Sequence, residues 1–328
     1  MKVALSSLKT FGSGLARPES VIAGPNGYVF ASHAGQGVVR IAPDGTQSVL
    51  GRTSELNGRP WIPNGLALSA RAGLLIANMG EDGGIWSLAP EGTVEPFLVS
   101  VNNTALPATN FVLSDSRGRL WISVSTRQWP ISKAFYPENA SDGFIIRVTE
   151  DGRADIVADH LIFANELRLD AEERWLYVAE TFAGRISRFE VQPDATLGER
   201  QTFAELPEHS YPDGLCFDAV GHLWVASIVS NRILRVAPDA TSEIVVEEFD
   251  RDYVENFRIK WERRALERAD VVNPASRILK NPTSLAFGTD DQTVYVGSLG
   301  GDSLVTFPSS VAGLPMQAVE ALRLYLPA

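Results

Sequence analysis

Polar residues open six apolar segments of the chain, and 11 or 12 residues after each opener an aromatic residue or Leu lies in a second apolar segment. The six openers are Glu19, Asn64, Asn110, Asn165, Asp213 and Thr283. Their downstream partners are Phe30, Leu75, Trp121, Tyr177, Trp224 and Tyr295. Consecutive openers are separated by 45, 46, 55, 48 and 70 residues. A β-type pattern repeated at this period predicts a propeller with one four-stranded blade per repeat.

The repeat predicts an all-β fold, a single six-bladed β-propeller domain over residues 1–328. Turn signals between the apolar segments place the blades near 15–55, 60–100, 106–158, 161–206, 210–250 and 280–308. The last repeat has no clear fourth strand after residues 305–307. We therefore expect a strand within residues 2–12 to complete the last blade and close the ring.

Two insertions interrupt the period. Blade three carries a loop between residues 125 and 142 with Trp129, Phe135 and Tyr136. Between residues 250 and 282, apolar residues recur at three- and four-residue steps, which predicts one helical insertion between blades five and six. These residues are Val254, Phe257, Trp261, Ala265 and Ala269. The helix either packs on the side of the propeller or serves as a lid or an oligomer contact.

Composition narrows the possible partners. A net charge of −11 and a pI of 4.9 argue against nucleic acid and anionic membranes, since both require a basic surface. The single cysteine, Cys216, excludes an intramolecular disulfide framework and a cysteine-rich zinc site, and its apolar neighbours predict a core residue. The apolar stretch at residues 3–5 is too short for a signal peptide, so the expected location is cytoplasmic.

The openers carry the candidate chemistry. Inner strands of a propeller run along the central channel, so their first residues are expected to cluster at one mouth. Glu19 and Asp213 offer carboxylates there, and Asn64, Asn110 and Asn165 offer amide oxygens. One such residue could be a turn or cap residue, but five at one register indicate a ligand. Oxygen donors of mixed charge suit Ca²⁺ or another hard divalent cation.

At these residues the chain resembles the senescence-marker-protein/gluconolactonase family of regucalcin-like, six-bladed propellers. The most specific matching segments are residues 18–20 (Pro-Glu-Ser), 63–67 (Pro-Asn-Gly-Leu-Ala), 176–181 (Leu-Tyr-Val-Ala-Glu-Thr) and 212–215 (Pro-Asp-Gly-Leu). The resemblance implies one divalent cation held by Glu19, Asn165 and Asp213, with Asn110 beside it contacting water or substrate. Ca²⁺ is the first candidate, and Zn²⁺, Mn²⁺, Mg²⁺ and Fe²⁺ remain open.

Three positions depart from the family pattern. Phe111 follows Asn110 where the family often has Asp, Ala108 replaces a frequent Arg, and Glu166 follows Asn165 in place of Gly. With the aromatic residues of the loop at 125–142, the changes at Ala108 and Phe111 predict a substrate less polar than a sugar lactone. The alternative is that Phe111 faces the core and the loop aromatics pack on a neighbouring blade.

The sequence thus predicts a metal-dependent lactonase or related ester hydrolase acting on a small molecule. Asp213 either accepts the proton of the attacking water or orients a hydroxide formed on the cation, and Asn110 assists. The expected substrate contacts are Asn64, Asn110, Phe111, Trp129, Phe135 and Tyr136. A non-catalytic interaction scaffold and a non-hydrolytic metal-dependent propeller enzyme are the rival hypotheses, and both monomer and homodimer stay open.

Overall fold

The computed structural model describes residues 2–136, 141–272, 276–290, 292–316 and 318–327. In chain order its strands are β1 (Lys9–Phe11), β2 (Val21–Ala23), β3 (Val29–His33), β4 (Gly37–Ile41), β5 (Gln47–Leu50), β6 (Glu55–Leu56), β7 (Arg59–Pro60), β8 (Pro63–Ser69), β9 (Gly73–Asn78), β10 (Ile85–Leu88), β11 (Val94–Leu98), β12 (Ser100–Val101), β13 (Thr104–Ala105), β14 (Phe111–Ser114), β15 (Leu120–Val124), β16 (Gly143–Val148), β17 (Ala154–Leu161), β18 (Ala164–Leu169), β19 (Trp175–Glu180), β20 (Arg185–Glu190), β21 (Gln201–Glu205), β22 (Tyr211–Phe217), β23 (Leu223–Ile228), β24 (Arg232–Val236), β25 (Ser242–Glu247), β26 (Pro282–Phe287), β27 (Thr293–Ser298) and β28 (Leu304–Pro308). The α-helices are α1 (Arg251–Glu262) and α2 (Arg268–Val272). Short 3-10 helices cover Leu5–Ser7, Pro25–Gly27, Ile131–Phe135, Thr181–Ala183 and Val319–Tyr325.

These strands form six four-stranded antiparallel sheets, which confirms the predicted six-bladed propeller. The blades have the strand orders β2-β3-β4-β5, β8-β9-β10-β11, β14-β15-β16-β17, β18-β19-β20-β21, β22-β23-β24-β25 and β26-β27-β28-β1. The first strand of each order contacts the first strands of the neighbouring blades, so these six strands surround the channel. Each polar opener lies at the start of one of them.

The sixth blade joins distant parts of the chain. Its outer strand is β1, which pairs with β28 in antiparallel register, Lys9 opposite Thr306 and Phe11 opposite Leu304. At the inner end, the Thr283 hydroxyl donates to the Glu19 carbonyl oxygen at 2.7 Å. The first and last repeats are therefore joined at both the outer and the inner edge of the ring.

Apolar side chains fill the spaces between adjacent blades. The downstream partners of the openers lie on the second strands, where Phe30, Leu75, Trp121 and Trp224 are completely buried. Cys216 belongs to the cluster that Trp224 forms between blades five and six, as its apolar neighbours predict. The core is thus a ring of similar layers.

Buried aspartates anchor two of these tryptophans. Asp218 follows β22 and accepts hydrogen bonds from the Trp224 indole at 3.0 Å and from Arg235 Nε at 2.8 Å. Asp115 in blade three accepts from the Trp121 indole at 3.2 Å in the same way. Each aspartate therefore ties the turn after an inner strand to the strand that follows.

The insertion between blades five and six packs over one mouth of the channel. Helix α1 begins after Asp250, whose carboxylate accepts from the Tyr253 backbone N–H at 2.9 Å and caps the helix. Val254 and Phe257 on α1 and Val271 on α2 join a cluster with residues of the blade-three loop and of the strand ends at this mouth. The insertion thus covers the mouth instead of the side of the propeller.

The helical pattern predicted from the sequence, which runs from Val254 to Ala269, is longer than helix α1. Ala265 lies between α1 and α2 because the first helix ends at Glu262. None of the helices in the described part of the chain has the length and apolar content needed to cross a bilayer.

Candidate functional site

Irregular strand pairing positions the polar openers. Four of the inner strands shift register where the opener sits, between Pro63 and Leu66, Ala164 and Leu167, Pro212 and Leu215, and Pro282 and Leu285. A bulge of this kind bends the strand and redirects a side chain. Next to Asp213 a glycine is required, because a Cβ on Gly214 would lie 1.9 Å from the Thr283 carbonyl oxygen. The inner strands of blades five and six can therefore approach each other closely beside Asp213, which narrows the ring of openers.

Two of the three ring amides are held in one orientation by hydroxyl groups. The Nδ2 atom of Asn110 donates to Ser125 Oγ at 3.0 Å, and that of Asn165 donates to Thr181 Oγ1 at 3.2 Å. Each hydroxyl in turn donates its own hydrogen to a backbone carbonyl at 2.8 Å. Because that hydrogen is already used, the hydroxyl oxygen must accept from the amide, which fixes both amide orientations.

The third amide is fixed by a simpler contact. Asn64 Nδ2 donates to the backbone carbonyl of Asn110 at 2.9 Å, and a carbonyl can only accept. The Oδ1 atoms of Asn64, Asn110 and Asn165 are buried, and none has a hydrogen-bond partner among the residues that the structure describes. A buried polar atom left without a partner costs about 1–3 kcal/mol. Three such oxygens at one register indicate that a ligand completes them.

Two buried carboxylates lie beside these amides. Glu19 is 5% exposed and Asp213 is 3% exposed. Burial raises the pKa of both groups, and the charges of Glu19 and Glu166 raise that of Asp213 further. Arg17 pairs with Glu19 and opposes the rise in its pKa. A cation placed between the carboxylates would favour their charged forms.

Glu166 adds a third carboxylate to the channel. It accepts from the Leu215 backbone N–H at 3.0 Å and pairs with Arg168 at 3.2 Å. Burial raises the pKa of Glu166 to about 7, although the charge of Arg168 lowers it. The side chain at this departure from the family pattern is therefore a buried acid linked to the next blade.

A cavity of about 170 Å³ opens onto this ring. Its polar base includes Glu19, Asn110, Asn165 and Asp213. Most of the remaining wall is apolar and comes from the blade-three loop, the strand ends and the insertion, with Met79, Trp129, Pro130, Ile131, Phe135, Phe163, Phe182, Ile228, Val271, Val272 and Leu299. The site thus combines oxygen donors at its base with an aromatic and aliphatic wall.

Only some of the expected substrate contacts line this cavity. Asn110, Trp129 and Phe135 line the cavity, whereas Asn64 is not among the described lining residues and instead lies beside Glu19. Tyr136 is not among the described residues that form the lining. Phe111 faces a different cavity at the opposite end of the channel, where Arg168 lies 4.8 Å above its ring. Phe111 therefore does not line the cavity at the ring of openers; its side chain packs in the core between blades three and four, which is the alternative position expected for it from the sequence.

The donor set suits a hard cation. In the described ranges of the chain, no group of three or more His, Cys, Asp and Glu side chains comes together as a metal site. A cation at this ring would consequently depend on amide oxygens as well as on the two carboxylates. Such a mixture of neutral and charged oxygen donors matches the preference of Ca²⁺.

Comparison with known families agrees with this arrangement of fold and ring. Residues 18–248, more than half of the chain, match the SMP-30/gluconolactonase/LRE-like region. The chain belongs to this family. The matched residues include Glu19, Asn64, Asn110, Asn165 and Asp213, so the family region contains every opener of the ring except Thr283.

One curated relative and two solved structures illustrate the similarity. The 6-deoxy-6-sulfogluconolactonase of Pseudomonas putida is 28% identical over 187 residues, which is 56% of this chain and 51% of the relative. The chain spans about half the length of the curated relatives that it matches first.

A gluconolactonase of Xanthomonas campestris has a TM-score of 0.66 at 19% identity, covering 92% of this chain and 89% of that one. The calcium-binding regucalcin of Agrobacterium tumefaciens has a TM-score of 0.63 at 16% identity, with 92% and 95% covered. At these identities the structures support the fold.

Several residues of the site were not predicted from sequence. Arg17 and Arg268 line the cavity, and Ser125 and Thr181 orient the ring amides. Thr181 lies in the family-like segment 176–181, and Arg17 lies two residues before Glu19. The position of both residues in the sequence could therefore have suggested that they belong to the site. Arg268 comes from the insertion and had no such local signal.

Proposed function

We propose that the protein is a divalent-cation-dependent hydrolase that opens a lactone or a related ester. The proposal rests chiefly on three fixed amides whose buried oxygens have no partner among the described residues, placed beside two buried carboxylates at the base of a cavity. Membership of a lactonase-containing family supports the reaction class. A small molecule is the expected partner, and the cytoplasm is the expected location.

Each ring residue has a distinct proposed role. Glu19, Asn165 and Asp213 would hold the cation, for which Ca²⁺ is the first candidate because all donors are oxygens. When bound, the cation supplies Lewis-acid polarisation of the ester carbonyl and lowers the pKa of water. Asn110 accepts a hydrogen bond from the attacking water or the substrate through its free Oδ1, which Ser125 keeps in place.

Asp213 is the proposed proton acceptor. Water adds to the carbonyl carbon while its proton passes to the Asp213 carboxylate. The bond between the carbonyl carbon and the ring oxygen then breaks, and the proton moves to the departing ring oxygen. The products are a carboxylic acid and a hydroxyl group on one open chain, which together contain the atoms of the lactone and of one water; the acid then loses its proton to solvent.

The wall of the cavity supports a substrate less polar than an aldonolactone. Trp129, Phe135, Phe163 and Phe182 offer apolar surface, and Phe182 packs edge-to-face on Phe163 at 4.9 Å. Burying apolar area gains roughly 25 cal/mol per Å², whereas a buried hydroxyl without a partner costs about 1–3 kcal/mol. Phe111 makes no contribution to this argument, because it faces the other end of the channel.

Exhaustive chelation tests the cation dependence. Hydrolysis of dihydrocoumarin, an alkyl-substituted lactone and δ-gluconolactone should disappear with chelator and return when Ca²⁺ is added. Far-ultraviolet circular dichroism should change little, because the blades pack against one another without help from the ion. Turnover that survives removal of all metal would contradict the mechanism, and a strong preference for δ-gluconolactone would contradict the proposed substrate polarity.

A further inference from the structure

An arginine at the base of the cavity has unused hydrogen-bond donors. Arg17 pairs with Glu19 through Nη2, and its side chain is 14% exposed. Its Nε and Nη1 atoms are buried and have no hydrogen-bond partner within the described ranges. Buried donors on a charged group are costly when unpaired, and a guanidinium has more donors than one carboxylate can use. The guanidinium can therefore donate hydrogen bonds to a second anionic group located in the cavity.

A second arginine reaches the same cavity from the insertion. Arg268 is the first residue of α2 and lines the wall, and its charge lowers the pKa of Glu19. No hydrogen bond or ion pair connects its side chain to another residue that the structure describes. Two guanidinium groups from separate segments thus line one small cavity.

The balance of charge gives an independent argument. The two carboxylates that line the cavity, Glu19 and Asp213, are matched in number by Arg17 and Arg268. A divalent cation at the ring would therefore leave two uncompensated positive charges in a cavity with an apolar wall. Positive charges that the surrounding carboxylates do not neutralise attract a ligand of the opposite sign.

We propose that the substrate is a lactone bearing a carboxylate or sulfonate group, and that Arg17 and Arg268 bind this group. This inference rests on the proposed function and adds the substrate class. Guanidinium groups match the planar edge of an oxyacid anion with paired donors. The apolar part of the same molecule lies on the aromatic wall, so the substrate is amphiphilic, with one anionic group instead of several hydroxyls.

A set of three γ-lactones tests the charge requirement. The probes are 5-oxotetrahydrofuran-2-carboxylate, its primary carboxamide and (5-oxotetrahydrofuran-2-yl)methanesulfonate, assayed with saturating Ca²⁺. Wild type should have a kcat/KM about tenfold higher for the better of the two anions than for the carboxamide, as expected for one charge-assisted hydrogen bond. The better anion identifies the acid group.

Two variants of the insertion locate the contact. Arg268→Gln should lower kcat/KM for the preferred anion about tenfold more than for the carboxamide, mainly through KM. Arg263→Gln is the matched control, since Arg263 is also an exposed arginine of the insertion but does not line the cavity. Equal efficiencies for anion and carboxamide in wild type, or an unchanged ratio in Arg268→Gln, would overturn the inference while lactone hydrolysis itself stands.

A binding experiment separates this inference from the proposed function. Calorimetry with tetrahydrofuran-2-carboxylate and tetrahydrofuran-2-carboxamide, which contain no ester, needs no turnover. Preferential binding of the carboxylate that Arg268→Gln and Arg17→Gln each remove would support the anion site even if no lactone is hydrolysed. If neither compound binds and no lactone is hydrolysed, both the inference and the proposed function fail.

Discussion

Asp213 and Asp218 lie five residues apart in blade five, and both are almost completely buried. Asp218 receives hydrogen bonds from the Trp224 indole, the His222 backbone N–H and Arg235. Burial alone would raise its pKa, but these hydrogen bonds outweigh burial and lower it. Burial and two neighbouring carboxylates instead raise the pKa of Asp213 well above the usual value for an aspartate.

The difference shows how a stabilising carboxylate can be distinguished from one that awaits a ligand. Asp218 has its full set of donors within the fold, as does Asp115 at the equivalent turn of blade three. Asp213 instead has Asn165 as a side-chain hydrogen-bond neighbour and lies among amide oxygens that lack partners among the described residues. Burial is the same in both cases, so the neighbours of each carboxylate decide its role.

Replacing Asp213 should have the largest effect on function. We expect Asp213→Asn to reduce lactone hydrolysis by about 10²–10⁴-fold, the usual contribution of a general base, and to weaken Ca²⁺ binding because one of two ring charges is lost. Without cation the variant should melt at the wild-type temperature or above, since a repelled buried charge is removed. Turnover, calorimetric titration with Ca²⁺ and thermal melting measure the three effects. Tight Ca²⁺ binding with unchanged turnover would place the site elsewhere.

Replacing Asp218 should have the opposite signature. Asp218→Ala leaves Arg235 and the Trp224 indole without their shared acceptor, and losing one partner of a buried pair costs about 3–5 kcal/mol. Urea unfolding should show this loss, whereas the folded protein should bind Ca²⁺ as wild type does. A parallel fall in Ca²⁺ affinity would remove the distinction between the two aspartates.

The same comparison has a pH dependence with a definite sign. The lowered pKa of Asp218 means that its contribution to stability is complete above the unfolded-state value, about pH 4, and is lost as the pH falls through the folded-state pKa. The difference in free energy of unfolding between wild type and Asp218→Ala should therefore narrow below about pH 4. A constant difference down to pH 2 would contradict this explanation.

A smaller effect should follow from releasing a single ring amide. Thr181→Val removes the hydroxyl that accepts from Asn165, so the amide can rotate and its oxygen is no longer held in place. We expect Ca²⁺ affinity to fall about 10–100-fold, as when a residue that orients a metal ligand is lost. Thr202→Val on the outer strand of blade four is the matched control, because that threonine is exposed. Equal affinities in both variants would show that Asn165 needs no support.

The repeat made the fold predictable. One polar opener per inner strand and one large apolar residue per second strand recur because each blade solves the same packing problem, and this register also predicted where Glu19, Asn165 and Asp213 would meet. The sequence left two positions open for Phe111, the pocket and the core, because successive strand residues point in opposite directions. Only the pairing around Asn110 reveals which of these two residues faces the mouth.

The insertion was less predictable for a different reason. Helical periodicity identifies the apolar face of α1, with Val254 and Phe257, but not the surface that this face covers. That choice depends on contacts with residues far away in the sequence, such as Phe163 and Leu299. Arg268 reaches the cavity as a result of this docking and could not be assigned to the site from its local sequence.

The shared sixth blade also constrains how the protein acquires its structure. Strand β1 leaves the ribosome before the other strands of the described residues, whereas its partner β28 follows almost 300 residues later. The ring can therefore close only after blade six has been synthesised. Until it closes, β28 has no outer neighbour and the first blade lacks its contact with Thr283. Contacts so distant in sequence form slowly, and unpaired strand edges invite association with other chains. We therefore expect the unpaired edge of β28 to be open to association with other chains between synthesis of blade six and docking of residues 9–11.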